Sequence, residues 1–390
     1  MSTDASTVLS PLRAGMIGGG RGAFIGAVHR TALALDGEAV LVAGALSSDP
    51  QRARDSAADL GLAADRSYPD WRAMLEVETA RPAGDRIDFV SIVTPNHAHY
   101  EPARAFAAAG IHVVLDKPMV PTREEAAELV RTVDASGSVF AVTYNYSGYP
   151  MVRQARAMVA GGAIGDVRKV FVEYHQGWLA GDLESTGQKQ ASWRTDPARS
   201  GVAGCVGDIG THAAHVSEFV TGRAIHRVSA DVHTFVPGRR LDDDAAVLLR
   251  LQGGIRGVLT CSQVCIGHEN GLELRVHGTE GSLRWRQEHP NHLHLADASG
   301  TWRTLTRGGA DVHPHAVAGT RLPSGHPEGF HEAFANIYRG AFGRMRAAAA
   351  GTAPSEIDQL VPDVRDGARG VSFVHAVIES GAAEGQWTAV

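Results

Sequence analysis

The pattern of apolar and polar positions changes character near Tyr144. Before it, short apolar runs alternate with amphipathic stretches of helical length. Residues 13–17 predict a strand that runs into Gly18-Gly19-Gly20. A helical period follows over 25–35. Residues 38–46 are apolar and β-prone, and Ser47-Ser48-Asp49-Pro50 turns the chain and caps a helix over 51–60. Helices are also predicted over 70–78, 99–109 and 122–136. Residues 88–94 form a near-continuous apolar run that Pro95 ends, as expected of a strand buried on both faces. Strands follow at 112–115 and 139–142. Strands alternating with helices imply a doubly wound parallel sheet.

After Tyr144 the order is different. A helix is predicted over 149–160 and an alternating strand over 167–175. A Gly/Gln/Ser-rich loop covers 176–203, then a helix covers 206–219. Strand-like runs at 226–235, 244–251, 255–262, 271–277 and 281–285 suggest a mixed or antiparallel sheet with helices on one face. Residues 306–327 read as a loop, and helices over 328–349 and 363–382 complete the pattern. The expected division is 1–144 and 145–390.

Composition narrows the class. The 390 residues include 45 glycines, where ordinary usage of about 7% would place roughly 27. No Gly-X-Y period runs through them, and 44% hydrophobic and 21% charged residues are globular values. The net charge is −6 with no basic stripe, which argues against nucleic acid as a partner. No apolar run reaches the length of a membrane span, and the start MSTDASTVLSPLR does not read as a signal peptide. Three cysteines without a Cys-x-x-Cys pair read as a reduced, cytoplasmic chain. Cys261 and Cys265 are expected on one face of a strand, as small buried hydrophobes.

Six glycines fall within residues 15–26 and four within 201–210. In the first cluster, Gly18-x-Gly20-x-x-Ala23 follows a strand and opens a helix at Phe24-Ile25. That is the dinucleotide fingerprint: the first glycine permits a tight turn, and the second lets the backbone approach a pyrophosphate at the helix N-terminus. An acidic partner for the ribose 2′-hydroxyl belongs at the end of the second strand. Ser47 and Ser48 stand there, and Asp49 reads as a helix cap, so the cofactor is NAD or NADP.

Two further strand ends carry chemistry: Thr94-Pro95-Asn96-His97 and Asp116-Lys117-Pro118. A lysine at the carboxyl edge of a parallel sheet can exchange a proton or hydrogen-bond a developing alkoxide. Gly207-Asp208-Ile209-Gly210-Thr211-His212 places a carboxylate and an imidazole four apart, on one face of a helix. With the glycine turn, these segments resemble the Gfo/Idh/MocA family of sugar and polyol dehydrogenases, over almost the whole chain. The family's Glu-Lys-Pro is Asp-Lys-Pro here, and Arg21-Gly22-Ala23 reads as an insertion that leaves the third glycine role to Ala23 or Gly26. The resemblance implies an N-terminal Rossmann domain and a C-terminal α/β domain with a large open, mostly antiparallel sheet. It also implies Lys117, Asp208 and His212 as the catalytic group.

Around that group, Thr94, Pro95, Asn96, His97 and Asp116 are expected to border the cofactor. Asn145, Tyr146, Trp178 and Arg194 are expected at the substrate. His292, His294, His313, His315 and His326 crowd one region, but two-apart pairs in a Pro/Gly-rich stretch do not make a zinc site, and no metal is expected. His215, one turn beyond His212, is given no role. The expected activity is NAD(P)-dependent oxidation of a secondary ring hydroxyl of a cyclic sugar, glycoside or polyol, C3 of a glucoside and inositol included, or the reverse. A catalytically inactive nucleotide sensor on the same fold is the alternative, against which the intact Lys117, Asp208 and His212 argue. An exposed sheet face in the second half would make the protein a homodimer or homotetramer.

Overall fold

The computed structural model describes residues 10–390. The reading of the N-terminus against a signal peptide therefore falls largely outside the described residues. Five strands form the first sheet: β1 (Leu12–Gly18), β2 (Ala39–Ala45), β3 (Phe89–Val93), β4 (His112–Leu115) and β5 (Phe140–Val142). All pairs are parallel, in the order β2-β1-β3-β4-β5. Every residue of β3 is buried, as its apolar run requires. The order reverses between β1 and β3, and a ligand crevice is expected outside the carboxyl ends of those strands.

Local chemistry sets the helix limits. Asp49 accepts from the Arg52 amide at the start of Pro50–Asp59, and Asp70 accepts from Arg72 and Ala73 at the start of Trp71–Ala80. Thr122 and Glu125 form a capping box for Arg123–Ser136, which ends on Gly137 at φ 68°.

The second sheet has nine strands: β6 (Val167–His175), β7 (Ile225–His233), β8 (Asp244–Leu251), β9 (Arg256–Ser262), β10 (Gly271–Gly278), β11 (Gly281–Arg286), β12 (His292–Asp297), β13 (Trp302–Thr306) and β14 (Thr388–Ala389). Their order is β13-β12-β11-β10-β6-β9-β8-β7-β14, and only β6 with β9 is parallel. Helices Pro150–Ala160, Thr211–Thr221 and Val364–Ala382 pack on one face. Helix Phe330–Ala350 returns to the first sheet, where Phe334, Ile337 and Tyr338 share a core with Met16, Val28 and Phe89.

Three expectations change. His292 and His294 belong to β12, where they alternate with inward Leu293 and Leu295; the polar spacers disguise a strand. The loop over 176–203 contains a helix, Lys189–Arg194, capped by the Gln188 side chain. Cys265 lies beyond the end of β9 and is half-buried, so only Cys261 is a strand residue of the core. Among the described residues, no helix is long and apolar enough to cross a membrane, and no group of three His, Cys, Asp or Glu could hold a metal.

Candidate active site

A cleft of about 1200 Å³ runs between the two sheets, from the glycine turn past Thr94–Asn96 to Lys117, Asp208 and His212. Gly18 sits at φ 78°, where a β-carbon would also meet Thr94 at 2.9 Å. A β-carbon on Gly20 would lie 2.7 Å from the Leu46 carbonyl oxygen. The third glycine role goes to Gly26, whose β-carbon would meet the Gly19 Cα at 2.3 Å; Ala23 only precedes the helix. Helix Phe24–Ala34 starts there with no side-chain cap, leaving its first amides for an anion. This cradle fits a dinucleotide. Ala23, Phe24, Ile25, Ser47 and Ser48 line the same end.

At mid-cleft, Thr94, Pro95, Asn96 and His97 all line the wall. The Asn96 amide donates to the Ser200 carbonyl at 3.0 Å, so its donor ties the two halves together. The Asp116 carboxylate accepts from the Lys117 amide (2.8 Å) and the Thr143 hydroxyl (3.0 Å), which fixes the backbone that carries the lysine.

Lys117 Nζ donates to the Asp208 carbonyl oxygen at 2.6 Å and to its Oδ1 at 3.1 Å. Arg194 Nε (3.1 Å) and Gln263 Nε2 (2.9 Å) donate to Oδ2. Burial works against a charged Asp208, but the Arg194 and Lys117 cations outweigh it and hold the carboxyl well below the usual range. The expected shared α-helical face for Asp208 and His212 needs correcting. Val206–Gly210 is a π-helical turn, in which the Thr211 amide reaches back to the Val206 carbonyl, and the α-helix starts at Thr211. Asp242 accepts from the Gly204 (2.6 Å) and Val206 (2.7 Å) amides and so anchors the start of that turn.

His212 is buried, its ring edge-to-face with Tyr146 at 4.7 Å. Burial, and then the Lys117 charge, push its pKa well below the ordinary histidine value, so the imidazole is neutral. Among the described residues its Nδ1 and the Asn145 Nδ2 are buried without a hydrogen-bond partner. His215 stacks on Tyr144 at 4.3 Å and does not line the cleft.

A chain of neutral polar groups closes this end. The Tyr146 and Tyr174 hydroxyls meet at 2.5 Å, Tyr174 donates to Asn270 (2.6 Å), Gln176 donates to Asn270 (2.8 Å), and Trp178 Nε1 donates to Gln176 (2.9 Å). Arg194 lies over the Trp193 ring at 4.3 Å and 6.0 Å from the centre of Trp178. Every site residue expected from the sequence thus lines one cleft. Sequence reasoning misses Tyr174, Gln176, Gln263 and Asn270, which no motif marks.

The model for "Oxidoreductase family, NAD-binding Rossmann fold" matches residues 12–144, and that for the "GFO/IDH/MocA C-terminal domain" matches 152–284. An uncharacterized oxidoreductase, YfiI, of Bacillus subtilis is 34% identical over 96% of this chain and 95% of its own. The crystal structure of an inositol dehydrogenase homolog from Azotobacter vinelandii, complexed with NADH and myo-inositol, is 36% identical, with a TM-score of 0.90 over 98% of each chain. A levoglucosan dehydrogenase complexed with NADH and levoglucosan is 29% identical, with a TM-score of 0.82 over 97% of this chain and 99% of that one.

Proposed function

The chain belongs to the GFO/IDH/MocA family and is an NAD(P)-dependent carbohydrate dehydrogenase; we propose that it oxidises a secondary ring hydroxyl of a neutral, unphosphorylated cyclic sugar, glycoside or polyol. Residues 1–144 would hold the dinucleotide and 145–390 most of the substrate pocket. The observation that carries this reading is the Lys117–Asp208–Arg194 arrangement beside His212 at the far end of the cleft.

A bound nicotinamide would supply the hydride chemistry at the substrate carbon, in either direction. This chain's residues manage the proton and the orientation. Lys117, an ammonium paired with Asp208, stabilises the oxygen as it becomes an alkoxide, while the proton passes to His212. His212, held neutral by burial, lines the cleft and can accept a substrate hydroxyl proton. Asp208 fixes the Lys117 ammonium and, through Oδ2, Arg194. Asn145, which also lines the cleft, can hold a second hydroxyl.

Charge supports a neutral substrate. Lys117 and Arg194 share the single carboxylate of Asp208, which leaves one net positive charge for an oxygen that becomes an alkoxide. Tyr146, Tyr174, Gln176, Trp178, Asn270 and Gln287 bring no further cation to this end. A phosphate ester would bring roughly two negative charges against that one, and the excess would be buried at a cost in desolvation. Among ring polyols, inositols are favoured by the likeness to the Azotobacter structure, which holds myo-inositol. A panel of inositols, hexoses, anhydrosugars and glucosides, together with inositol and hexose phosphates, each with NAD+ and NADP+ and read by nicotinamide absorbance, tests the proposal. Turnover of a neutral ring polyol and none of its phosphate ester is expected. Turnover confined to phosphate esters would overturn it.

A further inference from the structure

We propose that Lys189, on the substrate half of the chain, is a positioning residue that grips the cofactor's diphosphate from across the cleft. The inference rests on the dinucleotide reading of the glycine turn. The chain has only three lysines, Lys117, Lys169 and Lys189, and both Lys117 and Lys189 line this cleft. Lys189 is exposed, and no carboxylate pairs with it among the described residues. Its Nζ donates to the Gly22 carbonyl at 3.3 Å, inside the glycine turn of the other half.

At the glycine turn itself the first half supplies little free charge; its other cleft arginines, Arg52 and Arg72, stand on helices Pro50–Asp59 and Trp71–Ala80. Arg21 is committed to Asp59 at 2.5 Å and Asp55 at 3.1 Å. Arg30 sits behind the turn on the Gly19 carbonyl and does not line the cleft. A diphosphate at the uncapped helix start therefore meets amide dipoles from one side. Lys189, a flexible point charge, is the cation that reaches the same turn from the other.

The placement is not accidental to the site. Lys189 opens helix Lys189–Arg194, whose first turn is fixed by the Gln188 side chain on the Ala191 amide at 2.6 Å. The last residue of that helix, Arg194, donates to Asp208. One rigid turn and a half thus joins the diphosphate grip to the catalytic carboxylate, so a bound cofactor would steady Arg194 and Asp208 before the substrate arrives.

The test titrates NADH, ADP and adenosine into the full-length parent protein and into Lys189→Ala, Lys189→Arg and Lys169→Ala variants. Lys169, on the second sheet against Phe171, controls for the loss of one positive charge. Lys189→Ala is expected to weaken NADH and ADP by about 3- to 10-fold, the range of a charged hydrogen bond at a half-open site. It should leave adenosine unchanged and flatten the salt dependence of NADH binding. Lys189→Arg should restore most of the affinity, and Lys169→Ala should match the parent. Unchanged NADH binding in Lys189→Ala, or an equal loss for adenosine, overturns the proposal while the dinucleotide reading stands. A parent protein that binds no NADH would overturn both.

Discussion

Lys117 and Asp208 are 91 residues apart in sequence, yet the Lys117 ammonium donates to both the backbone carbonyl and the carboxylate of Asp208, at 2.6 and 3.1 Å. The contact joins the carboxyl end of β4 to the π-helical turn before Thr211–Thr221, and so sets one half of the molecule against the other. Asp208→Asn keeps the shape and removes the charge, leaving Lys117 and Arg194 close together with nothing to balance them. The variant is expected to lose about 100-fold in kcat through misplacement of the lysine, with an unchanged circular dichroism spectrum. A kcat within a factor of about two of the parent would mean that Asp208 does not position Lys117.

Gly20→Ala probes the cradle. The new β-carbon would lie 2.7 Å from the Leu46 carbonyl oxygen, a backbone atom that cannot rotate away. Overpacking of this kind costs about 1–3 kcal/mol, which as lost NADH affinity is about 5- to 150-fold. Titration with NADH checks it, and adenosine serves as the less affected comparison.

Acid stability follows from the buried histidines. Burial lowers the His29 pKa to about 4 and that of His215 to about 3, so neither gains a proton in the folded state until well below 6.5. The unfolded chain binds those protons first as pH falls. The stabilising contribution is therefore fully present above pH 6.5 and is lost as pH drops toward 4, by on the order of 3 kcal/mol for His29 alone. Replacing His29 with Phe, which keeps the ring beside Phe334, should flatten the fall in melting temperature over that window. An unaltered slope would rule out His29 as a contributor.

Much of the site is legible in the chain itself, because Lys117 and the glycine turn each close a patterned strand and Asp208 lies at the start of a patterned helix. Gly18 and Gly20 follow an apolar strand, and Lys117 follows another. Gln263 is not legible. It sits one residue past the end of β9, and the pairing of β8 with β9 and of β9 with β6 decides that it meets Asp208. Lys189 is missed for a similar reason: helix Lys189–Arg194 spans six residues, too short to stand out from a glycine- and glutamine-rich loop. Strand β12 is missed because histidines fill its outward positions.

The face of the second sheet turned away from the helices carries ionic ladders, with Glu173 to Arg275 at 3.2 Å and Glu273 to Arg284 at 2.9 Å, and the 51% exposed Leu248. A surface of that extent is expected to be covered by a second copy. Light scattering should return at least twice the 41.2 kDa of one chain, and a mass near 41.2 kDa would refute the oligomer.

We propose that Lys117 stabilises the alkoxide that forms as His212 takes the substrate proton. The direct test compares the steady-state kcat of the parent and Lys117→Ala on the best polyol of the panel, with NADH affinity measured alongside. A loss of about 100- to 1,000-fold is expected, the range for removing a positioned oxyanion donor, with NADH still bound. A Lys117→Ala enzyme that turns over at the parent's rate would contradict it.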